Sequence, residues 1–201
     1  MKYSQIENEI ILASKSKVRK EILERNNIKC KVVDSNVDED PIKENLIQKG
    51  LTPEIISKNL AEIKATKVSQ LKQDRMVIGA DSVIDLDNKI ISKPKSRDEA
   101  LEILKKLNGR KHCLISSVTI AKNGNMVWNY SDKAILNMKQ LTLEELKKYL
   151  SKLSDEALYS YNVYQIEGEG RKLFSSIEGD EDTIMGLPIR KIKEYLKIYD
   201  N

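Results

Sequence analysis

Histidine, cysteine and tryptophan are scarce in this sequence of 201 residues, which has one histidine, two cysteines and one tryptophan. The two cysteines, Cys30 and Cys113, lie far apart in the chain, so neither a disulfide framework nor a zinc centre built from Cys and His is supported. A Ser-His-Asp triad is also disfavoured, because the single histidine, His112, follows a predicted helix end and begins a predicted strand. We expect structural roles for all three side chains.

Long hydrophobic runs are missing as well, since no stretch approaches the ~20 apolar residues that are needed to span a bilayer. Residues 1–10 lack the apolar core of a signal peptide. We therefore expect a cytoplasmic protein with no membrane partner. The sequence also contains no Gly-x-x-x-x-Gly-Lys-Ser/Thr segment, which excludes a P-loop.

Neither charge sign dominates, because the formal net charge is +4 although 33% of the residues are charged. Lysines alternate with acidic residues along nearly every segment, and only 5% of the residues are aromatic. Nucleic-acid-binding proteins usually gather positive charge on one face and stack bases on aromatic side chains. We therefore expect no nucleic-acid partner. The remaining composition, with 40% apolar residues, predicts one globular domain over residues 1–201.

Strand and helix patterns alternate along the chain, which predicts an α/β fold with a mixed, twisted sheet. Residues 36–55 are polar and contain two prolines, so this segment is predicted to be a loop with short helical turns. The predicted strands are 9–14, 28–35, 75–80, a hairpin over 82–92 that turns at Asp87-Asn88, 111–122 and 126–139 joined by an Asn123-Gly124 turn, and 172–179. The predicted helices are 17–27, 52–73, 96–109, 142–153 and one from Leu187, with a loop at 154–170.

Polar side chains follow several of the predicted strands, where ligands of open α/β sheets usually bind. Ser14 and Arg19 come after the first strand, Asp81 after the third, Lys93 after the hairpin, and Gln165 near the C-terminal strands. One carboxylate among several cations suits a polyphosphate with a divalent metal, because cations neutralise phosphate oxygens and carboxylates hold Mg²⁺. Each residue alone also has a plainer interpretation, such as a turn residue or a helix cap.

Five segments of the sequence resemble, in the same order, the motifs of the Maf family of nucleoside triphosphate pyrophosphatases. They are ILASKSKVRKEIL at 11–23, VDED at 37–40, LAEIKATKV at 60–68, GADSVIDLDNKIISKPKS at 79–96, and YQIEGEGRKLFSSIEGDEDTIMGLPI at 164–189. The resemblance implies an elongated mixed sheet flanked by helices, in two lobes with a cleft. It also implies hydrolysis of the α–β phosphoanhydride bond of standard or modified nucleoside triphosphates, which yields a monophosphate and diphosphate.

The same resemblance implies site residues, a cofactor and a cellular role. By position, the implied catalytic residues are Asp81, Lys64 and Lys93, the substrate-binding residues are Ser14, Arg19, Ser82 and Gln165, and the metal-binding residues are Asp81 and Glu39. The implied cofactor is a divalent cation, Mg²⁺ or Mn²⁺, and the substrate is the partner. The family is linked to septum formation, cell-division arrest and the clearing of modified nucleotides. Whether the protein forms a homodimer is left open by the sequence.

The sequence departs from the family motifs at two places. Val18 stands where the family has the first of two arginines, so Arg19 is left alone, and we expect Val18→Arg to raise turnover. Glu167 differs from the pattern of one subgroup, so the choice among dTTP or UTP, 7-methyl-GTP and other substrates stays open. The alternative function is a catalytically weakened, nucleotide-binding regulatory protein that acts on septum formation.

Overall fold

The structure, a computed structural model, describes residues 9–155, 158 and 163–199. Most of the segment that was tested for a signal peptide, residues 1–8, lies outside the described residues, and so do positions 156, 157 and 159–162 of the predicted loop. Within the described part of the chain, no helix is both long and apolar enough to cross a membrane.

Seven strands form one mixed sheet, which confirms the predicted α/β fold class. The strands are β1 (Ile10–Leu12), β2 (Cys30–Val32), β3 (Val77–Leu86), β4 (Lys89–Ile91), β5 (Lys111–Lys122), β6 (Asn125–Met138) and β7 (Phe174–Glu178). Their order is β2-β1-β3-β5-β6-β7, and β4 pairs with β3. β1 runs parallel to β2 and β3, whereas β4 is antiparallel to β3 and β7 is antiparallel to β6.

Seven described helices accompany the sheet. They are α1 (Lys17–Arg25), α2 (Glu39–Gln48), α3 (Pro53–Leu71), α4 (Arg97–Leu107), α5 (Leu143–Ser151), α6 (Glu181–Ile184) and α7 (Ile189–Tyr199), and a 3₁₀ turn spans Glu169–Leu173. α6 was not predicted, and α7 begins two residues later than expected. The two predicted hairpin turns are confirmed, because Asp87, Asn88, Asn123 and Gly124 all have positive φ.

The chain divides into two compact units. Among the described residues, the first unit comprises 9–82, 115–132 and 180–199, and the second comprises 83–114, 133–155, 158 and 163–179. β3, β5 and β6 each contribute residues to both units. The single domain expected over 1–201 and the cleft between lobes stay predictions.

The segment 36–55, which was expected to be a loop with short helical turns, contains the ten-residue helix α2. Pro41 lies in the first turn of this helix, where a missing N–H costs nothing because the first turn has no intrahelical acceptors for its N–H groups. Glu39 and Asp40 precede it and favour the positive end of the helix dipole. No residue of α2 is buried. Its few apolar residues, Ile42, Leu46 and Ile47, stand among polar ones, and Pro41 favoured a loop in the sequence.

β3 also differs from the prediction, since it continues to Leu86 instead of ending near Gly79. Asp81 therefore lies inside the strand and not after it. A buried charge inside a strand requires a partner of opposite charge, and Asp81 has one in Lys64, whose Nζ lies 2.9 Å from Asp81 Oδ1. β3 beyond that point is held by β4, with Ile84 paired to Ile91.

Candidate active site

The candidate site in the first unit begins where β1 stops beside β3. Ala13 N, just past the end of β1, donates to Ile78 O of β3 at 2.8 Å. Carbonyls on one edge of a strand recur every second residue, so the next one on this edge is Ala80 O, past the last residue of β1. Side chains take the place of a strand there: Arg19 Nη1 donates to Ala80 O at 3.0 Å and Lys64 Nζ at 3.5 Å. Two of the predicted cations thus meet at one carbonyl.

Lys64 binds two carboxylates at once. Its Nζ lies 2.9 Å from Asp81 Oδ1 and 2.9 Å from Glu39 Oε1. The side chains of Lys64 and Asp81 are only 7% and 8% exposed, whereas that of Glu39 is 37% exposed. Removing either partner of such a buried pair leaves an uncompensated charge. Lys64 therefore holds the two predicted metal ligands, Asp81 and Glu39, side by side.

A glycine allows α3 to bring Lys64 to this position. Gly79 and Asp81 lie two residues apart on β3, so they share the face on which α3 packs. A Cβ atom added to Gly79 would clash with Ala61 O and Ala65 N of α3. Because Gly79 has no side chain, the backbones of α3 and β3 approach closely, and Lys64, one residue before Ala65, reaches Asp81.

Asp81 has one oxygen that the protein does not bind. Its backbone carbonyl accepts from Ser57 Oγ at 3.2 Å and its Oδ1 from Lys64, but Oδ2 is buried with no hydrogen-bond partner among the described residues. Groups of three or more His, Cys, Asp or Glu that could hold a metal are absent from the described part of the chain. Mg²⁺ usually takes one or two carboxylates together with substrate phosphates and water, so Asp81 and Glu39 fit that cation.

Arg19 holds four groups of the first unit together. Its Nη1 donates to Ser14 Oγ at 3.2 Å and to Ala80 O at 3.0 Å, and its Nη2 donates to Ser82 Oγ at 3.0 Å. Its Nε donates to Gly186 O at 2.9 Å. A guanidinium has five N–H groups, so within the described residues one is left for a ligand.

The charge of Arg19 is sustained by the same carboxylates that surround Lys64. Burial lowers the pKa of the Arg19 guanidinium, while the negative charges of Asp81 and Glu39 act in the opposite direction. Arginine stays protonated in proteins. The first-unit site therefore combines two cations with two carboxylates.

The loop between β1 and α1 places Ser14 next to Arg19. Ser14 Oγ accepts from Ser16 N at 3.2 Å, and Ser16 Oγ in turn caps α1 by accepting from Arg19 N at 3.3 Å. The neighbouring Lys15 points elsewhere, since its Nζ lies 2.7 Å from Asp34 and its side chain is 77% exposed. Ser14 is thus fixed by the start of the helix, while Lys15 belongs to the surface.

Two predicted site residues belong to the second unit. Lys93 is exposed and lines an open pocket of about 250 Å³ together with Ile90, Glu99 and Lys106. Gln165 is half-buried, and its Nε2 donates to Glu167 Oε1 at 3.4 Å. The other six predicted residues, Ser14, Arg19, Glu39, Lys64, Asp81 and Ser82, all lie in the first unit.

Among the residues that contact the predicted ones, sequence reasoning missed Ser116 and Gly186. Ser116 Oγ lies 2.8 Å from Ser82 Oγ in the interior of β5. Gly186 supplies a carbonyl to Arg19 and has a φ of +103°. The available signals were two consecutive serines, Ser116 and Ser117, inside an otherwise apolar strand, and a glycine in the C-terminal motif.

In this α/β protein, one strand of the mixed sheet ends beside a buried lysine, an arginine and two carboxylates. Such a site suits a charged ligand. The chain matches the model of the family described as Maf-like protein over residues 9–199. It therefore belongs to this family, and the resemblance of its motifs is confirmed.

The chain is similar in sequence to three named proteins over most of its length. It is 68% identical to "Nucleoside triphosphate pyrophosphatase" of Pelagibacter ubique, over 94% of this chain and 97% of that protein. It is 37% identical to a protein with the same name from Caulobacter vibrioides, over 94% of this chain and 95% of that protein. It is 36% identical to "7-methyl-GTP pyrophosphatase" of Brucella abortus, over 90% of both chains.

Proposed function

We propose that this protein is a metal-dependent nucleoside triphosphate pyrophosphatase. Such a hydrolase cuts the α–β phosphoanhydride bond and releases a nucleoside monophosphate and inorganic diphosphate (pyrophosphate). Membership of the Maf-like family and the names of the relatives support this activity. The observation that carries the proposal is Asp81, a buried carboxylate with one oxygen bound to Lys64 and the other without a partner among the described residues.

Asp81 is proposed to orient the attacking water and, with Glu39, to hold the cation. Mg²⁺ or Mn²⁺ at these carboxylates would acidify a bound water and offset the charge of the phosphates. Lys64 keeps the two carboxylates together, and its positive charge lowers the repulsion between them. Asp81 Oδ1 is committed to Lys64, so Oδ2 is the oxygen that is available for the water or the cation.

The cations of the site are proposed to bind the triphosphate. Four charges of a nucleoside triphosphate must be neutralised and aligned before water can attack, so positioning and electrostatics supply most of the catalysis. Arg19 would use its remaining N–H on a phosphate oxygen while its other four N–H groups keep the site in shape. Lys93 is proposed to stabilise the departing diphosphate and Gln165 to contact the nucleotide.

Sequence similarity does not decide which base the enzyme prefers. The relatives at 37% and 36% identity carry different names, one general and one specific for 7-methyl-GTP, while the relative at 68% carries the general name. We propose the general activity. A cytoplasmic location, a homodimer and a link to septum formation stay predictions.

The alternative proposal is a nucleotide-binding regulatory protein of weakened activity. It is favoured by Val18, an apolar residue at the start of α1 where the family motif has an arginine. It is also favoured by Arg19, because most of its N–H groups donate to the protein itself. Such a protein would bind triphosphates without releasing diphosphate at a useful rate.

The test is a panel of UTP, dTTP, GTP and 7-methyl-GTP with Mg²⁺ or Mn²⁺, scored separately for diphosphate and for inorganic phosphate. We expect diphosphate from the wild type and a loss of at least about a hundredfold in kcat for Asp81→Asn, equivalent to roughly 3 kcal/mol of transition-state stabilisation.

Asp85→Asn is the matched control, since Asp85 is a half-buried carboxylate on the same strand and has no proposed role. It should retain kcat within about twofold. If Asp81→Asn turned over like the wild type with an unchanged circular dichroism spectrum, the role of Asp81 would be wrong. Tight nucleotide binding without diphosphate release by the wild type would favour the regulatory alternative.

A further inference from the structure

A chain of hydrogen bonds lies behind the candidate site in the first unit. Ser82 Oγ lies 2.8 Å from Ser116 Oγ, and Ser116 Oγ donates to Thr183 O at 2.7 Å. Ser116 and Thr183 are both fully buried. Beyond them, Thr183 Oγ1 donates to Asp132 Oδ2 at 2.9 Å. The chain links β3, β5, α6 and β6.

The direction of these hydrogen bonds follows from counting protons. A serine hydroxyl has one proton, and that of Ser116 is used on Thr183 O, which has no proton to offer. Ser116 must therefore accept from Ser82, whose own single proton is thereby used. The oxygen of Ser82 is then left as an acceptor, which is the role it plays towards Arg19 Nη2 at 3.0 Å.

This arrangement holds the end of α6 and the turn that follows it. Ser116 binds the carbonyl of Thr183, and Arg19 Nε binds the carbonyl of Gly186, three residues later. Gly186 has a φ of +103°, and a Cβ there would lie 3.1 Å from Ser82 Oγ and 3.3 Å from Arg19 Nε. A side chain at Gly186 would therefore crowd both the guanidinium and the serine hydroxyl.

We propose that Ser116 is a positioning residue, which orients the hydroxyl of Ser82 as a hydrogen-bond acceptor and thereby fixes the guanidinium of Arg19 in the site. Ser82 then acts by holding Arg19, because its proton faces Ser116 and not a phosphate. The inference rests on the proposed function in one respect, namely that Arg19 contacts the substrate.

Ser117 provides a matched control. It follows Ser116 on β5, is equally buried, and its Oγ lies 2.7 Å from Ser131 Oγ. Successive residues of a strand face opposite sides of the sheet, so Ser117→Ala removes the same atom from the same strand without touching Arg19. A general loss of packing or stability would affect both variants alike.

The first measurement requires no catalysis. The exchange rate of the Arg19 Nη2–H protons with solvent is followed by NMR, because Nη2 donates to Ser82 Oγ, and the signal is assigned by its loss in Arg19→Lys. We expect exchange about tenfold faster in Ser116→Ala, the size of effect that one lost hydrogen bond produces, and within about twofold of the wild type in Ser117→Ala. Unchanged exchange in Ser116→Ala, or equal acceleration in both variants, would overturn the proposal.

The second measurement is a double-mutant cycle on diphosphate release. We expect Ser116→Ala to lower kcat/KM about tenfold in the wild type but less than about twofold in a Ser82→Ala background, because both changes break the same chain. Additive losses would mean that Ser116 does not act through Ser82.

The two measurements separate the inference from the proposed function. Faster Arg19 exchange in a protein whose wild type releases no diphosphate would uphold the positioning role and contradict the enzymatic activity. If Ser116→Ala does not fold, Ser82→Ala breaks the same chain at a half-buried position, and Arg19 exchange must accelerate there too or the proposal fails.

Discussion

Arg19 combines a structural and a ligand-binding capacity because of its shape. A guanidinium presents its five donors in a rigid plane, so it can bind several carbonyls and hydroxyls at fixed angles. Here it joins the β1–α1 loop at Ser14, the edge of β3 at Ala80 where β1 has ended, and the turn after α6 at Gly186. A lysine could satisfy only part of this set, because its three donors radiate from one nitrogen.

The burial of Val18 argues against the expectation that an arginine at this position would raise turnover. The sequence comparison predicts that Val18→Arg raises turnover, but Val18 is only 7% exposed and belongs to the core. A guanidinium there must either be desolvated or displace the start of α1. We expect Val18→Arg to lower the free energy of unfolding by roughly 2 kcal/mol and to leave kcat/KM no higher than that of the wild type.

Lys17→Arg is the control for this prediction, because Lys17 is exposed in the same turn. Urea unfolding and diphosphate release are measured for both variants. Lys17→Arg should stay within about 0.5 kcal/mol of the wild type. A stable and more active Val18→Arg would restore the expectation that was drawn from the sequence.

At the scale of elements, α4, β5 and the two hairpin turns were predictable because their signals are local. An apolar period, a capping serine such as Ser96 and an Asn-Gly turn each act within a few residues. α2 was missed because Pro41 and Gly50 were interpreted as loop signals, and because its few apolar residues stand among polar ones and none is buried. The length of β3 was missed because a carboxylate resembles a strand end until its partner on α3 is known.

The close contact between α3 and β3 predicts a specific sensitivity at Gly79. A methyl group there would meet Ala61 O and Ala65 N, which belong to a helix backbone and are not flexible side-chain ends. We expect Gly79→Ala to destabilise the fold by roughly 1–3 kcal/mol, as overpacking usually does. Because the displaced helix carries Lys64 away from Asp81, kcat should also fall in the fraction that stays folded.

Gly168→Ala is the control, since a Cβ at Gly168 would meet no atom closer than 3.8 Å. Its midpoint of urea unfolding should match that of the wild type, and only Gly79→Ala should shift. Equal stability of the Gly79 variant would mean that the α3–β3 contact is looser than the structure implies.

At the scale of the whole molecule, the sequence motifs identified the family but not the contacts that shape the site. The hydrogen bond between Ser82 and Ser116 spans 34 positions, and that between Ser116 and Thr183 spans 67. Nothing in the local sequence of β5 distinguishes Ser116 from Ser117, because both are small polar residues in an apolar strand. Only the fold decides which of the two serines bonds to Ser82, the residue that contacts Arg19.

The stability of the whole chain is expected to depend on pH through its one histidine. His112 is 2% exposed in the second unit, where its Nε2 lies 3.0 Å from the hydroxyl of Tyr164 and its ring lies 5.8 Å from that of Phe174. Burial lowers the pKa of His112 to about 4, against an ordinary value of 6.5. The folded protein therefore keeps this imidazole neutral at pH values where the unfolded chain protonates it.

Between pH 6.5 and pH 4 the unfolded state binds a proton that the folded state does not, so stability falls as the pH is lowered through this window and is fully present above it. The contribution of His112 to the free energy of unfolding should decrease by about 2 kcal/mol from pH 7 to pH 5. The measurement compares urea unfolding of the wild type and His112→Gln at both pH values. Carboxylates titrate alike in the two proteins, so their effect cancels, and the wild type should lose more stability on acidification than the variant. Equal losses would show that His112 is protonated as readily in the folded protein as in the unfolded chain.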